Sequence, residues 1–105
     1  MPSRGSAPTP LPVVAARGEL DAENLPSLEA RIEAATADAP GVVLDISDVT
    51  FGDSSFINLL LRIHQATDLR VAGPQPQVER LFRLVGVDAL LRIYPTAALA
   101  QAVPR

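Results

Sequence analysis

The spacing of apolar and polar positions changes rhythm several times along the chain, and each change marks an element. Residues 11–18, LPVVAARG, hold β-branched side chains between Pro12 and Gly18, which predicts a short strand ending near Arg17. Over residues 24–37 the period becomes helical: Leu25, Leu28, Ile32 and Ala35 share one face, while Glu29, Arg31 and Glu33 point away from it. Asn24 suits the N-cap, and Pro26 is tolerated because it falls in the first turn. Pro40-Gly41 breaks the chain, and Val42-Val43-Leu44-Asp45-Ile46 then reads as a strand covered on both faces. A second helix is predicted from just after Asp53 to about Thr67, followed by a short strand over residues 69–72 that Gly73-Pro74 stops. Val78, Leu81, Phe82 and Val85 occupy the i, i+3, i+4 and i+7 positions of a third helix, with Gly86 as its C-terminal cap. A weak last strand over residues 91–94 precedes a short helix over residues 96–103.

This alternation of strand and helix predicts one α/β domain: a mixed, mainly parallel sheet of about four strands with helices packed against it. The domain is expected to span residues 11–105. Residues 1–10, MPSRGSAPTP, are rich in Pro and Ser and poor in apolar side chains, and are expected to form a flexible tail. With 105 residues, 48% of them hydrophobic, the chain holds one core and no second domain.

Composition removes several kinds of chemistry. The chain has no Cys, so disulfide frameworks, thiol catalysis and Cys-based zinc sites are excluded. All nine basic residues are Arg, so Schiff-base catalysis and the phosphate-binding Lys of a P-loop are excluded too. A net charge of -3, with the arginines scattered among acids, speaks against a nucleic-acid partner. The apolar stretch over residues 56–63 is interrupted by Asn58 and Arg62 and falls far short of the roughly 20 residues of a membrane span. The N-terminus has no apolar signal core, so a cytoplasmic protein without membrane insertion is expected.

Polar residues gather in one stretch, residues 45–56, DISDVTFGDSSF, which joins a buried strand to a helix. Asp53 or Ser54 caps that helix. The plain reading of Asp53-Ser54-Ser55 is a good N-cap; the sharper one is a serine that accepts a phosphate, since free N–H groups and the helix dipole favour an anion there. A hydrolase would need Ser54 or Ser55 to meet His64, ten residues further along the same predicted helix and roughly 15 Å away along its axis. Asp21, Asp45, Asp48 and Asp53 could be imagined around a magnesium ion, as in phosphorelay receivers, but such receivers need a lysine; solvated loop acids fit better. No metal, cofactor or catalytic residue is therefore expected, and the protein is expected not to be an enzyme.

Gly18-Glu19-Leu20-Asp21 after the first strand resembles the GELD signature of anti-sigma factor antagonists, the bacterial branch of the STAS domain family. Residues 42–55 resemble that family's buried strand and its aspartate-serine-serine phosphorylation loop. Val71-Ala72-Gly73-Pro74, Val78-Glu79-Arg80-Leu81-Phe82 and Val85-Gly86-Val87 resemble its fourth strand and third helix. The likeness covers about residues 11–103. It implies a regulator of transcription that binds an anti-sigma factor, itself a serine kinase using ATP, and thereby frees a sigma factor; a serine phosphatase reverses the modification. Carried over by position, it implies Ser54 as phosphoacceptor, Ser55 as the lesser candidate, and a partner-binding face of Asp21, Asp53, Ser54, Ser55 and Phe56.

The chain departs from the family pattern in two places. The glycine that follows the serine pair is Phe56 here; on a helical wheel it falls with Leu60, Ile63 and Thr67, which predicts a core-facing filler. If exposed, it would obstruct a kinase. The segment between Ser55 and Leu69 is also short and lacks a glycine-rich turn. Both features keep open a second role known among STAS domains, an unphosphorylated adaptor or scaffold in a stress-sensing assembly or beside a lipid-transport ATPase.

Overall fold

A computed structural model describes residues 10–104 of the chain; the tail expected over residues 1–10 lies outside them apart from Pro10. The elements run in the order β1 (Val13–Leu20), α1 (Leu25–Thr36), β2 (Gly41–Gly52), α2 (Ser54–Ala66), β3 (Asp68–Ala72), α3 (Pro76–Val85), a short 3-10 turn (Val87–Ala89), β4 (Arg92–Tyr94) and α4 (Ala97–Ala102). The four strands form a single sheet in the order β1-β2-β3-β4, and every pairing is parallel. The antiparallel component allowed for in a mixed sheet is absent among the described residues.

The two sheet faces carry unequal loads. Val42, Leu44 and Ile46 on β2 and Leu69 and Val71 on β3 face α1, α2 and α3, which supply Leu28, Ile32, Phe56, Leu59, Leu60, Val78 and Phe82 to one core. The intervening residues, Val43 and Ala72, join Leu11 and Ala100 of α4 in a far smaller cluster, with Tyr94 and Ala97 packed against it. Gln101 Nε2 donates to Leu11 O at 2.7 Å and ties α4 to the segment before β1.

On this lightly packed face a buried cation does much of the holding. Arg70, 1% exposed, donates from Nη1 to Ala100 O at 2.6 Å and to Val103 O at 2.5 Å, which satisfies carbonyls at the end of α4. Its Nη2 and Nε donate to the two carboxylate oxygens of Asp68, at 3.0 and 3.4 Å. Asp68 also takes a salt bridge from Arg92 at 3.1 Å.

Several expected boundaries move. β1 does not end near Arg17 but continues to Leu20, because Gly18 adopts φ +76° within the strand and keeps the ladder going where another residue would be strained. β2 runs six residues past Ile46, to Gly52. Its ladder with β1 is irregular: Ala15 pairs with Asp45 and Arg17 with Asp48, then Gly18 with Val49 and Glu19 with Phe51, so β2 carries two extra residues, as at β-bulges. Asn24 stands at the start of α1 but does not cap it with its side chain. Instead Asn24 Oδ1 accepts from Asp21 N at 2.9 Å, and Asp21 Oδ1 accepts from Glu23 N and Asn24 N at 3.0 and 3.1 Å. Val85, placed by its spacing on the buried face of α3, is 52% exposed. Gly86, with φ +82°, ends α3 as expected.

Candidate functional site

Pairing of β1 with β2 decides what lies beside what. Leu20 pairs with Gly52, and Asp53 N donates to Leu20 O at 3.2 Å, so Asp21 and Asp53 leave the sheet at neighbouring strand ends. Both lie at the carboxyl edge of the parallel sheet, where α/β domains present loops and helix N-termini to ligands.

Between the two alternatives for the cap, the structure selects Asp53. Its backbone is extended, and its Oδ1 accepts from Ser55 N at 2.9 Å and from Phe56 N at 3.3 Å. The carboxylate thus accepts from two first-turn N–H groups of α2 that have no i−4 helical partner, Phe56 N sharing its hydrogen with Asp53 O. Asp53→Ala is expected to lower stability by about 1 kcal/mol, checked by urea unfolding. An unchanged midpoint and slope would show that these bonds contribute nothing.

Ser54 is then the first residue of α2. It is exposed, and its hydroxyl makes no hydrogen bond among the described residues. Ser55 is half-buried, which ranks it behind Ser54 for any enzyme that must reach it. Asp21 is exposed at its backbone turn, with its carboxylate engaged by Glu23 N and Asn24 N.

Phe56 is the exception in the group. Grouped with the partner-facing residues, it is wholly buried and has no surface to offer a partner. Its ring lies 6.5 Å from that of Phe82 on α3, tilted by 33°. Space for it comes from Gly52: a side chain there would run directly into the Phe56 ring. The core-facing position expected from the helical wheel is the observed one, and Phe56 does not obstruct Ser54.

The structure does not bring Ser54 and His64 together. α2 is continuous from Ser54 to Ala66, so His64 sits roughly 15 Å from Ser54 along the axis. No group of three or more His, Asp or Glu side chains converges on a possible metal position among the described residues. No helix among them is long and apolar enough to cross a membrane.

Three features near Ser54 were not anticipated: Phe51 is 55% exposed, Leu84 is 77% exposed, and Val85 joins them. One signal was available. On the α3 wheel Leu84 falls beside Gln77 and Arg80, away from Val78 and Phe82, and an apolar residue off the core face marks a contact surface.

A parallel four-stranded sheet with three helices on one face, and a serine-bearing helix start at its carboxyl edge, defines a small α/β domain whose exposed chemistry is gathered at one sheet end. The family model for the STAS domain matches residues 6–100, and the chain belongs to the STAS domain family. Its fold is shared with anti-sigma factor antagonists. One from Mycobacterium paratuberculosis has 32% identity and a TM-score of 0.75, with 87% of this chain and 85% of that chain covered. The anti-sigma factor antagonist SpoIIAA in its unphosphorylated form has 21% identity and a TM-score of 0.68, covering 87% and 86%. A candidate anti-sigma factor antagonist from Thermotoga maritima has 25% identity and a TM-score of 0.66, covering 84% and 83%. A search of curated protein sequences gives no match.

Proposed function

We propose that this domain is an anti-sigma factor antagonist, a non-enzymatic cytoplasmic regulator that binds an anti-sigma factor with serine kinase activity and so releases a sigma factor. The kinase transfers the γ-phosphoryl group of ATP to Ser54 Oγ: the new P–O bond forms at the serine, the bond to the β-phosphate breaks, ADP leaves, and the hydroxyl proton passes to the kinase. A serine phosphatase restores the hydroxyl by hydrolysis. The observation that carries this reading is the position of Ser54, exposed, with its hydroxyl unbonded, at the start of a 13-residue helix and directly after Asp53, whose N–H donates to the end of β1.

The same position explains why a phosphate would switch binding. The helix start accommodates the phosphate, so modification leaves the fold intact. Asp53 and Asp21 stand nearby, and the chain has no Lys to neutralise the added charge. A partner docking over Ser54 must then desolvate a dianion, at a cost of about 2–5 kcal/mol for an unpaired charge at an interface. Of the two features that kept the adaptor or scaffold role open, Phe56 in place of glycine no longer favours it, since the side chain is buried beneath the helix start; the short segment before β3 remains.

Incubation with the cognate anti-sigma factor and ATP is expected to add one phosphate, located on Ser54 by mass spectrometry. Ser54→Ala should bind the partner and resist modification, while Ser54→Asp should bind weakly. Equal affinities for the two variants would overturn the switch.

A further inference from the structure

The exposed apolar residues beside Ser54 are not scattered. Phe51 is a ridge between two hollows. One, of about 390 Å³, lies between Phe51, the Asp53-Ser54 turn, Ile57 on α2 and Val85 on α3. The other, of about 240 Å³, lies between Phe51 and the side of α3 that carries Arg80 and Leu84. Together they make one apolar groove that begins at the Ser54 turn and runs along α3. Two of its residues are apolar for no internal reason: Leu84 and Phe51 lie outside the core. An apolar surface with polar rims is the kind that protein contacts use.

The rims say what kind of protein. Arg83 has Glu79 at 3.7 Å, but Arg80, exposed on the groove's edge, makes no salt bridge among the described residues. At the other end stands Asp53, already occupied in capping α2. An apolar segment carrying an acidic residue opposite Arg80 matches both the groove and its charge.

Resting on the function proposed above, we propose that this groove receives an apolar, acid-flanked segment of the anti-sigma factor, and that Ser54 lies at its mouth. Phosphorylation then acts on the groove's occupant. The phosphate must lose water against Phe51 and Val85, and it repels the acid that Arg80 attracts.

The test measures affinity by calorimetry for the purified anti-sigma factor that phosphorylates Ser54. Leu84→Ser, Phe51→Ser and Arg80→Glu alter exposed side chains, and circular dichroism confirms that each variant is folded. Leu99→Ser, which alters an exposed apolar residue on α4 comparable in exposure to Phe51, is the control. Leu84→Ser and Phe51→Ser are expected to weaken binding at least tenfold at any salt concentration. Arg80→Glu should weaken it about tenfold at low salt, with most of that loss gone at about 0.5 M salt, where surface charges are screened. Leu99→Ser should bind as the unaltered chain does. Unchanged affinity in all three groove variants overturns the groove while leaving the proposed function standing. If sedimentation instead shows a dimer that Leu84→Ser dissolves, with anti-sigma affinity unchanged, the occupant is a second copy and the proposal fails. If the unaltered chain binds no anti-sigma factor, the proposed function falls and takes this occupant with it.

Discussion

Phe56→Gly is expected to destabilise the domain by about 3–5 kcal/mol, the range for emptying a buried aromatic site, although glycine is what the STAS phosphorylation loop would have at this position. The side chain is fully buried, and its loss leaves Phe82 facing a void. The reciprocal change is as informative. Gly52→Ala puts a methyl group into the Phe56 ring and should cost about 1–3 kcal/mol by overpacking. In the Phe56→Gly background the same alanine meets no ring, so its penalty should vanish. Urea unfolding of the four proteins of this cycle gives the coupling directly. Additive effects, with no coupling beyond about 0.5 kcal/mol, would show that Gly52 and Phe56 do not depend on each other. Ser54 and Ser55 lie between these two positions, so the interlock holds the helix start on which the proposed phosphate is placed.

Arg70→Met should lower stability by about 3–5 kcal/mol, because it removes one partner of a buried ion pair and leaves carbonyl groups at the end of α4 without a donor. At roughly 4–8 °C per kcal/mol for a domain of this size, the thermal midpoint should fall by more than 10 °C. Hydrogen exchange should show α4 losing protection first, since only Ala100 of that helix is buried. Arg70→Lys should rescue little: one ammonium cannot present the planar fork that reaches Asp68 on one side and two carbonyls on the other. A midpoint shift below about 3 °C in Arg70→Met would mean that α4 is held by its apolar contacts instead.

The order of elements was legible because helical faces and turn residues are local signals. Leu25, Leu28 and Ile32 are buried at the expected spacing, and Gly86 caps α3. The strand ends were not legible, for a physical reason. The inward-facing residues of β2 follow as Val42, Leu44, Ile46, Val49 and Gly52, so their spacing changes from two to three where β2 carries extra residues. The near-continuous apolar run that marks a covered strand stops at Ile46, and the spacing of three beyond it matches neither a run nor an alternation. No adjacent residue marks Arg70 as buried, because the carbonyls that satisfy it arrive 30 and 33 residues later. At the candidate site, the Asp53-Ser54-Ser55 start of α2 could be read from adjacent residues. The groove could not, since it exists only where the end of β2 and one side of α3 meet. Val85 shows the gap plainly: it has a core residue's spacing and no neighbour to cover it.

The bond between Gln101 and Leu11 has a practical consequence. It brings both ends of the described chain together at the amino-terminal edge of the sheet. Ser54 lies past the opposite edge, about 25 Å away for a strand of eight residues at roughly 3.3 Å each. A label, a surface tether or a fused domain joined at Pro10 or Pro104 therefore starts from the edge opposite the helix start. The domain can be immobilised or linked in tandem with its serine-bearing face still open to a partner.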